Sequence, residues 1–216
     1  TDAVLLKHFA KAKKNDKAVD LGTGCGIIPL LWCRADPPKH AVGVDIQREA
    51  CELAEKSIEH NNLYEKFSVV CSDLLDLKGK VPFGSFQLVT CNPPYKAANA
   101  GFESTIDAQR IARHEIMCNI DDVCAAGEKL LKFGGRLCIC NRPERLSDVI
   151  FAMKNHNIEP KRLRFVSKNP NEAPWLFLIE GKKGSKPFMQ IEPQMYIRTE
   201  NGFTDELNEI YNTGKE

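Results

Sequence analysis

The chain has 216 residues, 43% of them hydrophobic, and 30 Lys/Arg against 29 Asp/Glu, a formal net charge of +1. Such a length and composition suit one sizeable soluble α/β domain or two small ones, a single core being the simpler expectation, and no apolar run approaches the roughly 20 residues that would span a bilayer. The first residues carry neither a signal-peptide pattern nor a starting Met, so the expectation is a cytoplasmic protein whose given chain begins inside a longer natural one.

Residues 1–12 predict a helix in which Val4, Leu5, His8 and Phe9 share one face and Thr1 or Asp2 caps the start. Lys17–Leu21 is a short strand that runs into Gly22-Thr23-Gly24-Cys25-Gly26 and then into an apolar helix, Ile27–Cys33. Pro29 is tolerated in that helix because an N–H in the first turn has no intrahelical partner. Asp36-Pro37-Pro38 breaks it, and Ala41–Ile46 forms a second strand with Asp45 near its end. From Arg48 to Asn61 the period is helical, with Ala50, Leu53, Ala54 and Ile58 expected to face inward. Phe67–Cys71 is a third strand followed by Asp73, and Phe86–Cys91 a fourth that opens into Asn92-Pro93-Pro94-Tyr95.

Residues 96–104 read as a loop, and a helical stretch spans about 106–133 with a fresh start near Asn119. Gly134-Gly135 turns the chain into a fifth strand, Arg136–Cys140, and Arg142-Pro143-Glu144-Arg145 opens a helix to about Asn155. Two further strands, Ile158–Val166 and Trp175–Ile179, are joined by a polar loop over 167–174, and a short helix is expected near Asp205–Tyr211. Strands alternating with helices predict a doubly wound, mostly parallel sheet, with the last two strands forming an antiparallel hairpin at the C-terminal edge.

Charge is unevenly spread along this single domain. Residues 1–128 hold 15 Lys/Arg and 18 Asp/Glu, residues 129–198 hold 14 and 6, and the tail 199–216 holds 1 and 5. The middle segment is therefore a candidate surface for a polyanion, and the first a candidate cofactor and catalytic half. The nine cysteines contain no C-x-x-C and several sit in apolar strands, which argues for reduced, buried thiols and for no metal site. Cys138 and Cys140 flank Ile139 on one strand and so share a face.

Asp20-x-Gly22-x-Gly24-x-Gly26 between a strand and a helix is a nucleotide-binding turn, in which glycines let the backbone approach a ligand. Its spacing differs from the G-x-G-x-x-G of dinucleotide enzymes. It resembles motif I of class I S-adenosylmethionine (SAM) methyltransferases. Asp45, 19 residues after Gly26, is placed to accept bonds from two ribose hydroxyls, and Asp73 could take an adenine amino group. Asn92-Pro93-Pro94-Tyr95 supplies a rigid mouth holding an amide and a flat ring, which together can clamp a planar group bearing an NH2.

Asn-Pro-Pro-Tyr after strand four resembles the motif of methyltransferases that modify planar nitrogens. Thr1-Asp2-Ala3-Val4-Leu5-Leu6, the glycine turn through Leu31, Cys91–Tyr95, Arg142-Pro143-Glu144-Arg145-Leu146 and Lys161-Arg162-Leu163-Arg164-Phe165-Val166 together resemble the bacterial tRNA1(Val) adenine-37 N6-methyltransferase family. Members usually carry a strand and an aromatic turn before the Thr-Asp pair, which this sequence lacks. The resemblance implies a Rossmann-like class I methyltransferase sheet, SAM as cofactor and tRNA as partner. It implies that the Asn92 amide and the Pro93 carbonyl accept the amine N–H bonds, that Pro94 shapes the turn and that Tyr95 stacks on the base. Asp20, Gly22, Gly24, Gly26, Asp45, Asp73 and Asn92 would hold the cofactor, and Arg142, Arg145, Lys161, Arg162 and Arg164 would contact RNA. Neither a metal nor a membrane is implied, and a monomer is the simpler expectation. Two alternatives are glutamine N5-methylation of release factors, which uses the same tetrapeptide, and a non-catalytic RNA-binding protein of the same fold.

Overall fold

Runs of β-formers bounded by glycine, proline and asparagine alternate with stretches of helical period, and the chain folds accordingly. The computed structural model describes residues 1–35, 37–93 and 119–212. Helix α1 (Asp2–Ala10) leads to β1 (Lys17–Leu21), α2 (Ile27–Ala35), β2 (His40–Asp45), α3 (Arg48–His60), β3 (Phe67–Cys71) and β4 (Phe86–Cys91). After residues 94–118, which are outside the described part, come α4 (Ile120–Leu130), β5 (Leu131–Asn141), α5 (Leu146–Asn155), β6 (Ile158–Ser167) and β7 (Leu176–Lys183). Short strands β8 (Gln190–Ile191), β9 (Met195–Tyr196), β10 (Arg198–Thr199) and β11 (Gly202–Phe203) precede α6 (Asp205–Asn212). No helix among the described residues is long and apolar enough to cross a membrane.

Among the described residues one sheet of nine strands runs in the order β3-β2-β1-β4-β5-β7-β6-β8, with β9 also paired to β6. The first five strands pair in parallel. β7 inserts antiparallel between β5 and β6. The expected hairpin is thus β6–β7, and its outer side is covered by β8 and β9. Chain order reverses at β1, which lies between β2 and β4, so the carboxyl ends of these three strands open side by side.

Period-two alternation divides the core. Val19, Leu21, Val89, Cys91, Leu137 and Ile139 face α4 and α5, while Ala18, Leu88, Cys138 and Cys140 face α1, α2 and α6. The shared face of Cys138 and Cys140 is as the spacing predicts. Three helix details differ from expectation. In α1 the buried side is Leu5, Leu6, Phe9 and Ala10, because the helix is pressed between the sheet and two other helices and needs a wider apolar stripe. In α3 Ala54 and Ile58 are buried as expected, but Cys51 is buried in place of Leu53, which is 54% exposed. Helix α4, capped by Asn119 through a 3.0 Å bond from the Asp121 N–H, ends at Leu130, since Leu131 is drawn into the sheet opposite Phe86.

A polar row crosses the α1 side of the sheet. Register pairs Asp20 with Thr90, Thr90 with Cys138, Cys138 with Glu180 and Glu180 with Arg162. Glu180 is buried and bridges Arg136 at 3.0 Å and Arg162 at 3.1 Å. Those two guanidinium groups also donate to the carbonyls of Phe9, Ala10 and Lys11, which the end of α1 would otherwise leave unpaired. Arg162 stacks on the Phe9 ring at 4.1 Å from its centre and binds Glu192 at 2.8 Å. The cluster therefore docks α1 onto β5 and β6.

Candidate functional site

The glycine loop leaves β1 at the reversal point. Gly22, Gly24 and Gly26 all have positive φ, at 67°, 56° and 83°. Gly26 is further constrained by contact, as a Cβ there would lie 2.9 Å from the Phe67 ring. Within the loop Thr23 donates its N–H to the Val44 carbonyl at 3.0 Å, which ties the loop to β2. Gly43 makes that approach possible, since a Cβ at this position would meet the Thr23 methyl at 2.7 Å. Sequence reading missed Gly43 and Thr23; a glycine inside a β-branched strand was the available signal.

Asp45 ends β2 and is 6% exposed. One carboxylate oxygen accepts the Gly24 N–H at 2.7 Å and the other the Gln47 N–H at 2.9 Å, so this acid fixes both the glycine loop and the turn into α3. Asp20 ends the polar row and is 2% exposed. It accepts the Thr90 hydroxyl at 2.6 Å. Burial pushes its pKa up from 3.8 to about 7; the Thr90 and Thr23 hydroxyls oppose that rise and the charge of Asp45 adds to it. Thr90, 70 residues away in sequence, is a site residue that only strand pairing reveals.

Asp73 follows β3, where its carboxylate accepts the Leu75 N–H at 2.9 Å and its carbonyl the Asp76 N–H at 3.0 Å. It shapes its own turn. Ser72, which sequence reading passed over, donates its N–H to the Asp45 carbonyl at 2.9 Å and so joins the ends of β2 and β3. Asn92 is half-buried and Pro93 buried at the end of β4. Leu21 and Cys91 are register partners, so the glycine loop and Asn92 leave neighbouring strands at one level. The Cys140 thiol donates to Asn92 Oδ1 at 3.0 Å. Pro94 and Tyr95 lie outside the described residues.

The basic residues are not equivalent. Arg164 forms a two-pronged pair with Glu206, at 2.6 and 2.9 Å, and donates to the Pro193 carbonyl, while Arg162 belongs to the Glu180 cluster. Arg142 donates to the Trp175 carbonyl at 3.0 Å. Arg145 pairs with Asp148 at 2.8 Å with half its side chain in solvent, and Lys161 reaches the Lys186 carbonyl and lies 5.9 Å from the centre of the exposed Phe188 ring. Among the described residues no group of three His, Cys, Asp or Glu side chains could hold a metal ion.

The arrangement offers carboxylates to a ligand that carries hydroxyls and positive charge, backbone approach at the glycine loop, and an amide acceptor one strand away. Known proteins agree with it in kind. A family model for the methyltransferase small domain matches residues 1–147. A tRNA1(Val) (adenine(37)-N6)-methyltransferase of Porphyromonas gingivalis is 27% identical over 190 residues, 83% of this chain and 72% of the relative. One of the same name from Aliivibrio salmonicida is 22% identical over 97% of this chain and 87% of its own. Among solved structures, a predicted O-methyltransferase from Agrobacterium tumefaciens superposes with a TM-score of 0.80 at 19% identity, covering 99% of this chain and 97% of its own. A geranyl diphosphate C-methyltransferase of Streptomyces coelicolor, solved with S-adenosyl-L-homocysteine, gives 0.61 at 13% identity, covering 84% of this chain and 76% of its own. At these identities the structures establish the fold.

Proposed function

The chain belongs to the methyltransferase small domain family, and from that premise we propose that it transfers a methyl group from SAM to the exocyclic N6 of an adenine in tRNA, adenine 37 of tRNA1(Val). The observation that carries this reading is the juxtaposition of two strand ends. Asp20 and the glycine loop close β1, and Asn92-Pro93 closes β4 at the same register level. Relatives named for this reaction, similar over most of the chain, support the choice of substrate.

The residues fit the cofactor by the chemistry of their donors and acceptors. Asp45 would hold a ribose diol and Asp20 a cationic amine, while the positive-φ glycines admit the ligand to the backbone. When bound, SAM supplies a methyl group on a sulfonium, already a strong electrophile. The protein's task is to make a poor nucleophile adequate. An adenine amine has its lone pair delocalised into the ring; Asn92 Oδ1 and the Pro93 carbonyl accept its two N–H bonds and let the nitrogen pyramidalise towards the methyl group. Tyr95 stacks on the base once it has left its own stack. Positioning and preorganised acceptors then supply most of the rate.

For the RNA, Arg145 and Lys161 are proposed as phosphate contacts, with Arg142 beside Arg145. Arg162 and Arg164, engaged with carboxylates of the same chain, are proposed to hold in place the strand that carries Lys161. The enzyme would meet its tRNA in the cytoplasm. Incubation with labelled SAM and separate pools of tRNA, DNA and release factor, followed by nucleoside analysis, tests the reading. Label in N6-methyladenosine of tRNA is the expected result; label in release-factor glutamine or in DNA alone overturns the substrate.

A further inference from the structure

Cys138 and Cys140 project from the same face of β5, two residues apart, and both are fully buried. Their surroundings separate them. Cys138 donates to Glu180 Oε2 at 3.6 Å and so belongs to the ion cluster under α1. Cys140 lies one step nearer the carboxyl end of the strand. Cys91 and Ile139 are register partners, and the next step along the two strands sets Asn92 beside Cys140. Its thiol donates to Asn92 Oδ1 at 3.0 Å, on an apolar wall that includes Leu176, Leu178 and Val166.

A primary amide has two nearly isosteric ends, one an acceptor and one a donor, and packing alone barely distinguishes them. An S–H favours the oxygen end, because it can donate, though weakly, to an amide oxygen, and sulfur is a poor acceptor for the amide N–H. We propose that Cys140 is a positioning residue for Asn92, its thiol fixing the amide so that Oδ1 has a defined place at the mouth and the flipped amide, which would meet an amine N–H with another N–H, is disfavoured. The inference rests on the reading of Asn92 as the acceptor for the substrate amine. It gives a chemical reason for a cysteine at 140 where a small hydrophobe would fill the same space. Cys140→Ala removes the donor, and Cys140→Ser replaces S–H with O–H and restores it.

The test pairs kinetics with stability on the full chain. Cys140→Ala is expected to lower kcat about fivefold, the effect of one modest hydrogen bond, with KM for RNA and SAM affinity unchanged. Cys140→Ser should return kcat to within about twofold of the wild type, and in an Asn92→Ala background Cys140→Ala should cost no further rate. Wild-type kcat in Cys140→Ala, a Ser variant as slow as the Ala variant, or an undiminished loss in the Asn92→Ala background each overturns the proposal. If the wild type methylates no RNA, the reading of the reaction falls, and a double-variant cycle of melting temperatures still decides this inference. Shifts for Cys140→Ala and Asn92→Ala that fall short of additivity when combined support the contact; strictly additive shifts refute it.

Discussion

The carboxylates at the ends of β1 and β2 are buried and the arginines of β5 and β6 partly so, yet the two sets are handled in opposite ways. Asp45 is held by two backbone N–H groups and Asp20 by the Thr90 hydroxyl. Neutral partners leave the Asp45 charge, and the Asp20 charge once that buried carboxyl is ionised, uncancelled within the fold, so a diol or a cation can still be recognised there. Arg162 and Arg164 are met by Glu180, Glu192 and Glu206, which cancel their charge within the fold. A charge counted along the chain is therefore a poor guide to a charge presented to a partner. The burial and hydrogen-bonding partners of each group decide which of the two it is.

Breaking the cancelled side should have the largest effect on stability. Glu180→Ala leaves two guanidinium groups without their shared carboxylate and is expected to cost about 3 kcal/mol, read from urea unfolding. A loss below about 1 kcal/mol would mean that the cluster holds α1 only weakly. On the uncancelled side, Asp45→Ala should weaken SAM binding about 10–100-fold by calorimetry, the range for losing charge-assisted hydrogen bonds. Unchanged affinity would remove Asp45 from the ribose role.

Asp20 sharpens the contrast through pH. Its folded pKa, about 7, lies above the ordinary 3.8, so the folded state retains the extra proton between those values. Stability contributed by this group is full below pH about 4, falls as pH rises through that interval, and its loss is complete above the folded pKa. Asp20→Asn should therefore reduce the drop in unfolding free energy between pH 5 and pH 8. An equal drop in both proteins would show that Asp20 does not carry it. The smallest effect is on the outer basic face. Lys161→Ala should leave SAM affinity and melting nearly unchanged and lower the slope of log affinity for RNA against log salt by about 0.7–0.9, one phosphate contact.

Much of the uncancelled side is legible in the sequence because its signals are local. Strand, glycine loop and helix follow one another within seventeen residues, Lys17 to Cys33, and Asp45 closes the next strand. Thr90, Ser72 and Cys140 are not legible in this way, since their roles arise from pairing between separate strands, and Gly43 leaves only the weak signal of a glycine in a β-branched strand. The cancelled side is harder still. Lys161–Val166 reads as a basic block, but β7 brings Glu180 between Arg136 and Arg162, and α6 brings Glu206 to Arg164. No short window contains both members of those pairs. Helix α4 shows the same limit at smaller scale, where pairing with Phe86 overrides the helical period at Leu131.

The central claim is that Asn92 acts on the substrate nitrogen while the β1 and β2 ends hold the methyl donor. Methyl transfer to tRNA and SAM affinity measured on one preparation of Asn92→Ala test it most directly. The account predicts a loss of transfer of about 10²–10³-fold, the cost of removing one preorganised polar group, with SAM affinity close to that of the wild type. Loss of both together would contradict it and make Asn92 a structural residue of the β4 turn.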